Sequence, residues 1–354
     1  MVKNAVLQNE DQVMTENIAT QKDLFGNVVR PSRQRRGRTT EPFGRIDKDE
    51  NLHERLLGYC RLKPGEIWED DKSGHRVGVL DATIREHYER ILGSYKPALA
   101  VNDPPYNVVV GNSNTKHLSK VDVETYIEFS RKWVRNCLEF LAKDAHFYVW
   151  LGADVRDNFQ PLPDFMIMMR EFSELSPRNY ITVRNQRGYG TQKNWMWVRQ
   201  ELLHYIKGSP LFTVQYTDIP KILRGYYKHI NGELTENLQR SKSKTIRPGN
   251  VWVDIQQVFY RMEENVPGCY AQKPLKAIER IILSSSQPGD CVLDCFAHSG
   301  ATLIAGERCD RQVITFDIDP VFAEITIRRL EHYRRTGRTG WQWHNPFPEL
   351  EDTL

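Results

Sequence analysis

Residues 98–102 read Ala-Leu-Ala-Val-Asn and are followed at once by Asp103-Pro104-Pro105-Tyr106. A short unbroken apolar run of this kind reads as a strand buried on both faces of a parallel sheet. Proline has no backbone N–H and a fixed φ, so two in succession end a ladder. The chain must therefore carry a strand that stops abruptly, with a carboxylate, a rigid turn and an aromatic ring at its carboxyl end. In open α/β sheets that edge is where ligands sit.

This trio suits transfer to an exocyclic amine of a nucleobase. The lone pair of such an amine is delocalised into the ring, which makes it a poor nucleophile. Asp103 and the Pro104 carbonyl can accept its two N–H groups and favour a pyramidal nitrogen. Proline supplies a carbonyl of fixed direction and no competing donor. Tyr106 offers a face for a flipped-out base, and such stacking contributes roughly 1–3 kcal/mol. Taken alone, the tetrapeptide is equally compatible with a turn that leaves a tyrosine at the surface.

A second feature occupies residues 290–317, which read Asp-Cys-Val-Leu-Asp-Cys-Phe-Ala-His-Ser-Gly-Ala-Thr-Leu-Ile-Ala-Gly-Glu-Arg-Cys-Asp-Arg-Gln-Val-Ile-Thr-Phe-Asp. The pattern predicts a strand over Cys291–Cys295, a tight turn ending in Ser299-Gly300 and a helix over Ala301–Glu307. A second strand over Gln312–Phe316 closes with Asp317, 23 positions after Asp294. A turn that approaches a ligand, with a carboxylate at the next strand end, is the arrangement that holds an adenosine ribose. The turn has one glycine and no G-x-G-x-x-G, which argues against a diphosphate cradle. An adenosine cofactor without a diphosphate fits better. An ordinary βαβ unit is the alternative.

Together these segments resemble the S-adenosylmethionine-dependent DNA amino-methyltransferases, which act on N6 of adenine or N4 of cytosine. Asp103-Pro104-Pro105-Tyr106 is similar to that family's catalytic motif. Phe296-Ala297-His298-Ser299-Gly300 is similar to its cofactor loop, usually Phe-x-Gly-x-Gly, and Gln272-Lys273-Pro274-Leu275 to the segment before that loop. Val79-Leu80-Asp81 stands where the family often has a Gly-Asp pair. The catalytic motif comes first, which is the permuted, beta-type order. The resemblance covers roughly residues 76–335 and is weak near 209–250. His298 and Leu80 depart from it, since glycine is common at both places.

The resemblance implies an α/β fold of the Rossmann-like class I methyltransferase kind. Its mostly parallel seven-stranded sheet has one antiparallel strand, and a target-recognition region is inserted. It implies Asp103, Pro104, Pro105 and Tyr106 as catalytic residues. Asp81, Lys273, Asp294, Phe296, His298, Ser299 and Gly300 would bind the cofactor, with Asp317 on the ribose. S-adenosylmethionine is the implied cofactor and double-stranded DNA the implied partner, and a homodimer is left open. N6 of adenine is favoured over N4 of cytosine, because in the family an acid at the first motif position goes more often with adenine.

The chain of 354 residues is 40% hydrophobic with a net charge of +3, so it is globular and only mildly basic. No apolar run reaches the roughly 18 residues of a membrane span, and the N-terminus lacks the apolar core of a secretory signal. Cys60, Cys137, Cys269, Cys291, Cys295 and Cys309 form no C-x-x-C pair and read as reduced core thiols of a cytoplasmic protein. They and the ten histidines show no zinc spacing, so no metal is expected. Transfer from a sulfonium needs none.

Residues 1–45 are polar, carry Arg30, Arg33, Arg35, Arg36 and Arg38, and are expected to form a flexible basic arm. Residues 46–208 are expected to form the catalytic half, 209–260 the target-recognition region, 261–335 the cofactor half and 336–354 a C-terminal tail. Tyr126, Phe129, Trp133, Cys137 and Leu141 recur at helical spacing and predict a core stripe. Residues 202–206 are expected to form the antiparallel strand. From Arg184 to Met196 the chain reads as a glycine-rich loop in which Arg184, Arg187 and Lys193 alternate with Tyr189 and Trp195, suited to DNA near a flipped base. Between 209 and 250, Lys221, Arg224, Lys228, Arg240, Lys242, Lys244 and Arg247 stand against Asp218, Glu233 and Glu236. Those cations would position phosphates. Solvated surface is the alternative for both stretches.

Three rival readings stay open. An RNA or protein-amide methyltransferase more often carries Asn first and the cofactor loop ahead of it. A DNA-binding module with a degenerate cofactor fold is kept open by His298. An unrelated nucleotide-binding enzyme is disfavoured by the single-glycine turn.

Overall fold

In a computed structural model of the chain, the described residues are 21–22, 28–29, 44–105, 120–152, 161–189, 195–220, 227–236 and 243–353. Two units are distinguished, Met1–Thr40 and Glu41–Leu354. In the first, β1 (Gln21–Lys22) pairs antiparallel with β2 (Val28–Val29). The five arginines of the basic run lie outside the described residues.

The second unit opens with α1 (Glu50–Leu57), capped where the Asp49 carboxylate accepts the Leu52 N–H. There follow β3 (Ile67–Glu69), β4 (Arg76–Val79), α2 (Arg85–Leu92), β5 (Leu99–Asn102), α3 (Lys120–Phe140), β6 (Ala145–Leu151), α4 (Pro161–Met168), β7 (Leu175–Tyr189) and β8 (Trp197–Lys207). Next come β9 (Tyr227–Ile230), β10 (Glu233–Glu236) and β11 (Val251–Trp252). The last elements are α5 (Leu275–Ser285), β12 (Cys291–Asp294), α6 (Ala301–Arg308), β13 (Gln312–Asp317) and α7 (Pro320–Thr336).

Among the described residues, nine strands form one sheet in the order β11-β7-β8-β6-β5-β12-β13-β4-β3. The seven from β7 to β4 are the expected core, with β8 antiparallel to the rest. The expectation of seven strands is corrected by one short strand at each edge. β3 folds back on β4 through the turn at Asp70–Gly74 and is a second antiparallel strand. β11 returns part of the expected recognition region into the sheet beside β7.

All of β6 is buried, as a strand covered on both faces must be. Its Phe147 and Val149 join Ala100 and Leu293 against α2, α3 and α4, where Tyr88, Trp133 and Phe165 fill the layer. Its Tyr148 and Trp150 join Leu99, Val101 and Val292 against Ile278 of α5, Leu303 of α6 and Ile327 of α7. The α3 stripe is core, with Tyr126, Trp133 and Cys137 fully buried. A third cluster packs Leu52 and Leu56 of α1 with Val321 and Ile325 of α7 and with Trp341 and Phe347. Part of the expected tail is therefore core, and α1 packs with the cofactor half.

Residues 184–189, expected in a loop, continue β7. The ladder is irregular between Arg184 and Tyr189 and resumes where Tyr189 pairs with Trp197. β9 and β10 form a hairpin outside the main sheet. It turns on Asn231-Gly232 with φ of 54° and 86°, the left-handed pair that a two-residue turn needs. Among the described residues no helix is long and apolar enough to cross a membrane.

Candidate active site

β5 and β12 are parallel neighbours, with Leu99 paired to Val292 and Ala100 to Leu293. From β5 the chain passes through α3 to β6 on one side. From β12 it passes through α6 to β13 on the other. The two connections diverge and leave a crevice at the carboxyl ends, a topological switch point. Asn102 ties those ends together, its side-chain oxygen accepting the Cys295 N–H at 3.2 Å. Just beyond that tie, Asp103 and the 296–300 turn face one cleft.

Lys273 closes one wall. Its Nζ donates to Asp103 Oδ2 at 2.5 Å, and the two side chains are 5% and 22% exposed. The ammonium lies 5.6 Å from the centre of the Trp150 ring and 3.4 Å from the Ala271 carbonyl. Ala271 has φ 58°, a conformation that costs any residue with a Cβ. Gln272 holds this bend from within: its Oε1 accepts the Val266 N–H at 3.1 Å and its Nε2 donates to Asn265 Oδ1 at 2.9 Å. Pro274 then opens α5.

The cofactor turn forms the opposite wall. The Ala297 N–H donates to the Phe316 carbonyl at 2.9 Å, and the His298 N–H to Asp317 Oδ2 at 2.9 Å. His298 has φ 42° and Gly300 φ 72°. A Cβ on Gly300 would stand 3.0 Å from the Thr326 Cα, so glycine is required there by both space and backbone. The Ser299 carbonyl accepts from Arg329 Nη1 at 2.7 Å. Arg329 is fully buried and also donates to the carbonyls of Glu264 (2.9 Å) and Thr339 (2.6 Å). The Phe296 ring meets Trp133 edge-on at 5.3 Å, and the His298 ring lies 4.9 Å from Phe322.

Charge in the cleft is governed by burial. Burial pushes the Asp294 carboxyl up to about 8, against hydrogen bonds from Thr302 and the Phe296 N–H, and the negative charges of Asp103 and Asp317 push the same way. Burial likewise lifts Asp317 to about 7, helped by Asp319. Burial lowers His298 to about 4, so its imidazole is neutral at pH 7. Among the described residues no group of three or more His, Cys, Asp or Glu side chains is placed to hold a metal ion.

Asp103, Lys273, Asp294, Phe296, His298 and Ser299 thus line one cleft, while Gly300 and Asp317 brace its turn. Pro104 is buried and Pro105 half-buried beside Asp103. Tyr106 lies outside the described residues. Asp81 follows β4 at the sheet edge that carries Asp317, where the Leu80 N–H donates to the Asp317 carbonyl, and its Oδ1 accepts the N–H and the hydroxyl of Thr83 at 2.7 Å each. Arg184 and Lys244 are exposed; Arg187 lies on β7 and Lys228 on β9. Lys193, Lys221, Arg224, Arg240 and Lys242 lie outside the described residues. Because β7 runs parallel to β5, its end and the start of β8 rise from the same sheet edge as Asp103, with Trp195 89% exposed there.

Trp150, Thr302 and Arg329 were not anticipated. Trp150 lies near the end of β6, beside the catalytic strand, and that position was the available signal. Thr302 sits one residue inside α6. Arg329 gave no signal, since it follows Arg328 on a helix that reads as charged surface.

Residues 98–328 match the family described as DNA methylase, the N6/N4 methyltransferases. Type II methyltransferase M.HpaI of Haemophilus parainfluenzae is 26% identical over 233 residues, which is 66% of this chain and 68% of that one. DNA adenine methyltransferase YhdJ of Escherichia coli (strain K12) is 26% identical over 236 residues, 65% of this chain and 76% of that one. A crystal structure of an M1.HpyAVI–SAM complex aligns with 15% identity and a TM-score of 0.48, covering 71% of this chain and 96% of that one. The chain belongs to the DNA methylase family of N6-adenine and N4-cytosine amino-methyltransferases.

Proposed function

We propose that this DNA methyltransferase moves a methyl group from S-adenosylmethionine to N6 of adenine in double-stranded DNA, with the base turned out of the duplex over Asp103. The observation that carries this reading is the juxtaposition of Asp103, at the end of β5, with the 294–300 turn, at the end of the adjacent β12.

The cleft suits that cofactor. Asp294 and Asp317 are carboxyls lifted to about 8 and about 7 by burial, against the hydrogen bonds each already accepts, so an added positive charge or further donors would favour their ionised forms. A sulfonium would supply the first and ribose hydroxyls the second. Bound there, S-adenosylmethionine supplies an electrophilic methyl group and departs as a neutral thioether. Asp317 holds the ribose, and Asp294, Phe296, Ser299 and Gly300 form the wall. A neutral His298 adds no second cation beside the sulfonium.

The chain's own work is positional. Asp103 and the Pro104 carbonyl accept the two N–H groups of the amine and draw its lone pair out of the ring. Tyr106 stacks on the base. The rate then comes from orientation and from a preorganised, poorly hydrated site. An acid at position 103 favours adenine, and the similarity to a DNA adenine methyltransferase supports the same choice. Arg184 and Arg187 of β7, together with Lys193 and the cations from Lys221 to Lys244, contact phosphates. Removing any one of them lowers the salt dependence of DNA binding by about one counterion.

The test is to incubate the protein with methyl-labelled S-adenosylmethionine and unmethylated duplex DNA, then digest to nucleosides. Label in N6-methyladenine is expected. Label in N4-methylcytosine overturns the choice of base, and label in RNA or protein alone overturns the function.

A further inference from the structure

We propose that Lys273 is a positioning residue for methyl transfer, acting through Asp103 and not as a ligand of the cofactor. The inference rests on the reading of Asp103 as acceptor of the amine.

Lys273 is held at both ends. Its backbone sits between Gln272, which is locked into the 265–269 bend, and Pro274, which starts α5. Its side chain is 5% exposed, and its Nζ rests between the Trp150 ring, the Ala271 carbonyl and Asp103 Oδ2. An ammonium with so little access to water depends on such partners. A side chain fixed in this way cannot swing to follow a ligand.

The carboxylate it holds is a different case. Asp103 follows a β-strand and precedes two prolines, so its backbone is rigid. Its carboxyl plane, by contrast, turns about a soft sp³–sp² torsion. The charge-assisted bond to Lys273 fixes that plane relative to the cleft. Aim matters here, because an acceptor about 1 Å out of place costs on the order of a hundredfold in rate.

A role as cofactor ligand fits less well. The methyl donor carries a positive sulfonium, and a second cation aimed at it is repelled. The positive charge of Lys273 is turned toward Asp103 instead.

The test compares Lys273→Met, Lys273→Gln, Asp103→Ala and the Lys273→Met/Asp103→Ala double variant. Equilibrium affinity for S-adenosylmethionine and the single-turnover rate at saturating cofactor and DNA are measured for each. Either Lys273 variant is expected to lose about a hundredfold in rate while its cofactor affinity changes less than about threefold, which also shows that the site is folded. The double variant is expected to be no slower than Asp103→Ala alone, because a residue that acts only through its partner adds nothing once the partner is gone. A Lys273→Met protein with normal rate at saturation and cofactor affinity weakened about tenfold overturns the proposal in favour of cofactor binding. A double variant slower than Asp103→Ala by the full Lys273 factor also overturns it. Normal transfer by Asp103→Ala removes the reading of Asp103 itself, whatever the Lys273 variants do.

Discussion

The carboxylate of Asp317 accepts the backbone N–H of His298 at 2.9 Å, across 19 residues of chain. The bond joins the ends of neighbouring strands β13 and β12 and so fixes the turn opposite Lys273. Its other oxygen accepts the Asp319 N–H at 3.1 Å. The same carboxylate is assigned to the ribose, so its protonation couples loop stability to cofactor binding.

That coupling has a definite sign. Asp317 at about 7 and Asp294 at about 8 both lie above the ordinary carboxyl value near 3.9. The folded chain holds these protons more tightly than the unfolded one. Their contribution to stability is complete below about pH 4 and is lost as pH rises through 7 and 8. Cofactor binding runs the other way, since the ionised carboxylates attract a sulfonium and accept hydroxyls. Affinity for S-adenosylmethionine is expected to rise between about pH 6 and 8, by at most about tenfold per unit for each group. Calorimetric titration across that window, repeated with Asp317→Asn, checks this, and the variant should show a flatter slope. Affinity that falls with rising pH would sink the assignment.

The turn itself tolerates little. Gly300→Ala combines a left-handed backbone with a Cβ 3.0 Å from the Thr326 Cα. It should cost roughly 1–3 kcal/mol in urea unfolding and weaken cofactor binding. His298 already bears the left-handed cost, with φ 42°. His298→Gly relieves about 1 kcal/mol of it but loses the contact with Phe322, so the net change should stay within about 1 kcal/mol. His298→Val should be clearly worse than His298→Gly, because a β-branched residue fits this conformation poorly.

Arg329 links the two walls. It binds the Ser299 carbonyl of the cofactor turn and the Glu264 carbonyl, while Glu264 Oε2 accepts the Leu275 N–H beside Lys273-Pro274 at 2.8 Å. Arg329→Met leaves the carbonyls of Ser299 and Thr339, both in buried bonds, and the part-buried carbonyl of Glu264 without that donor. A loss on the order of 3 kcal/mol in stability is expected, with weaker cofactor binding. Denaturation of the free and cofactor-bound protein measures both.

The strand ended by two prolines and the strand–turn–helix–strand of residues 290–317 were legible because apolar runs and breakers act locally. The edge strands β3 and β11, three and two residues long, show no period that a sequence reading could catch. Residues 184–189 read as loop because of their charge and glycine, yet β7 runs through them, paired with β8 at Arg184 and again at Tyr189. The Asn231-Gly232 turn is legible from its residues alone, since that pair favours the left-handed backbone a two-residue hairpin needs. The place of Asp81 at a strand end is legible from the sequence, whereas its capture of the Thr83 N–H and hydroxyl depends on the local turn geometry. The contact of Lys273 with Asp103 spans 170 residues and follows from the sheet order, not from spacing. The burial of Arg329 depends on carbonyls supplied by three separate segments, which leave no mark around position 329 itself.

The most direct measurement pairs cofactor affinity with single-turnover methyl transfer to duplex DNA in Asp103→Ala and Asp317→Ala. Asp103→Ala should bind S-adenosylmethionine within about threefold of normal and transfer about a thousandfold more slowly. Asp317→Ala should bind the cofactor at least about tenfold more weakly, yet approach the normal rate once cofactor is saturating. Parallel losses of binding and rate in both variants, or transfer at the normal rate by Asp103→Ala, would contradict a single cleft with a base side and a cofactor side.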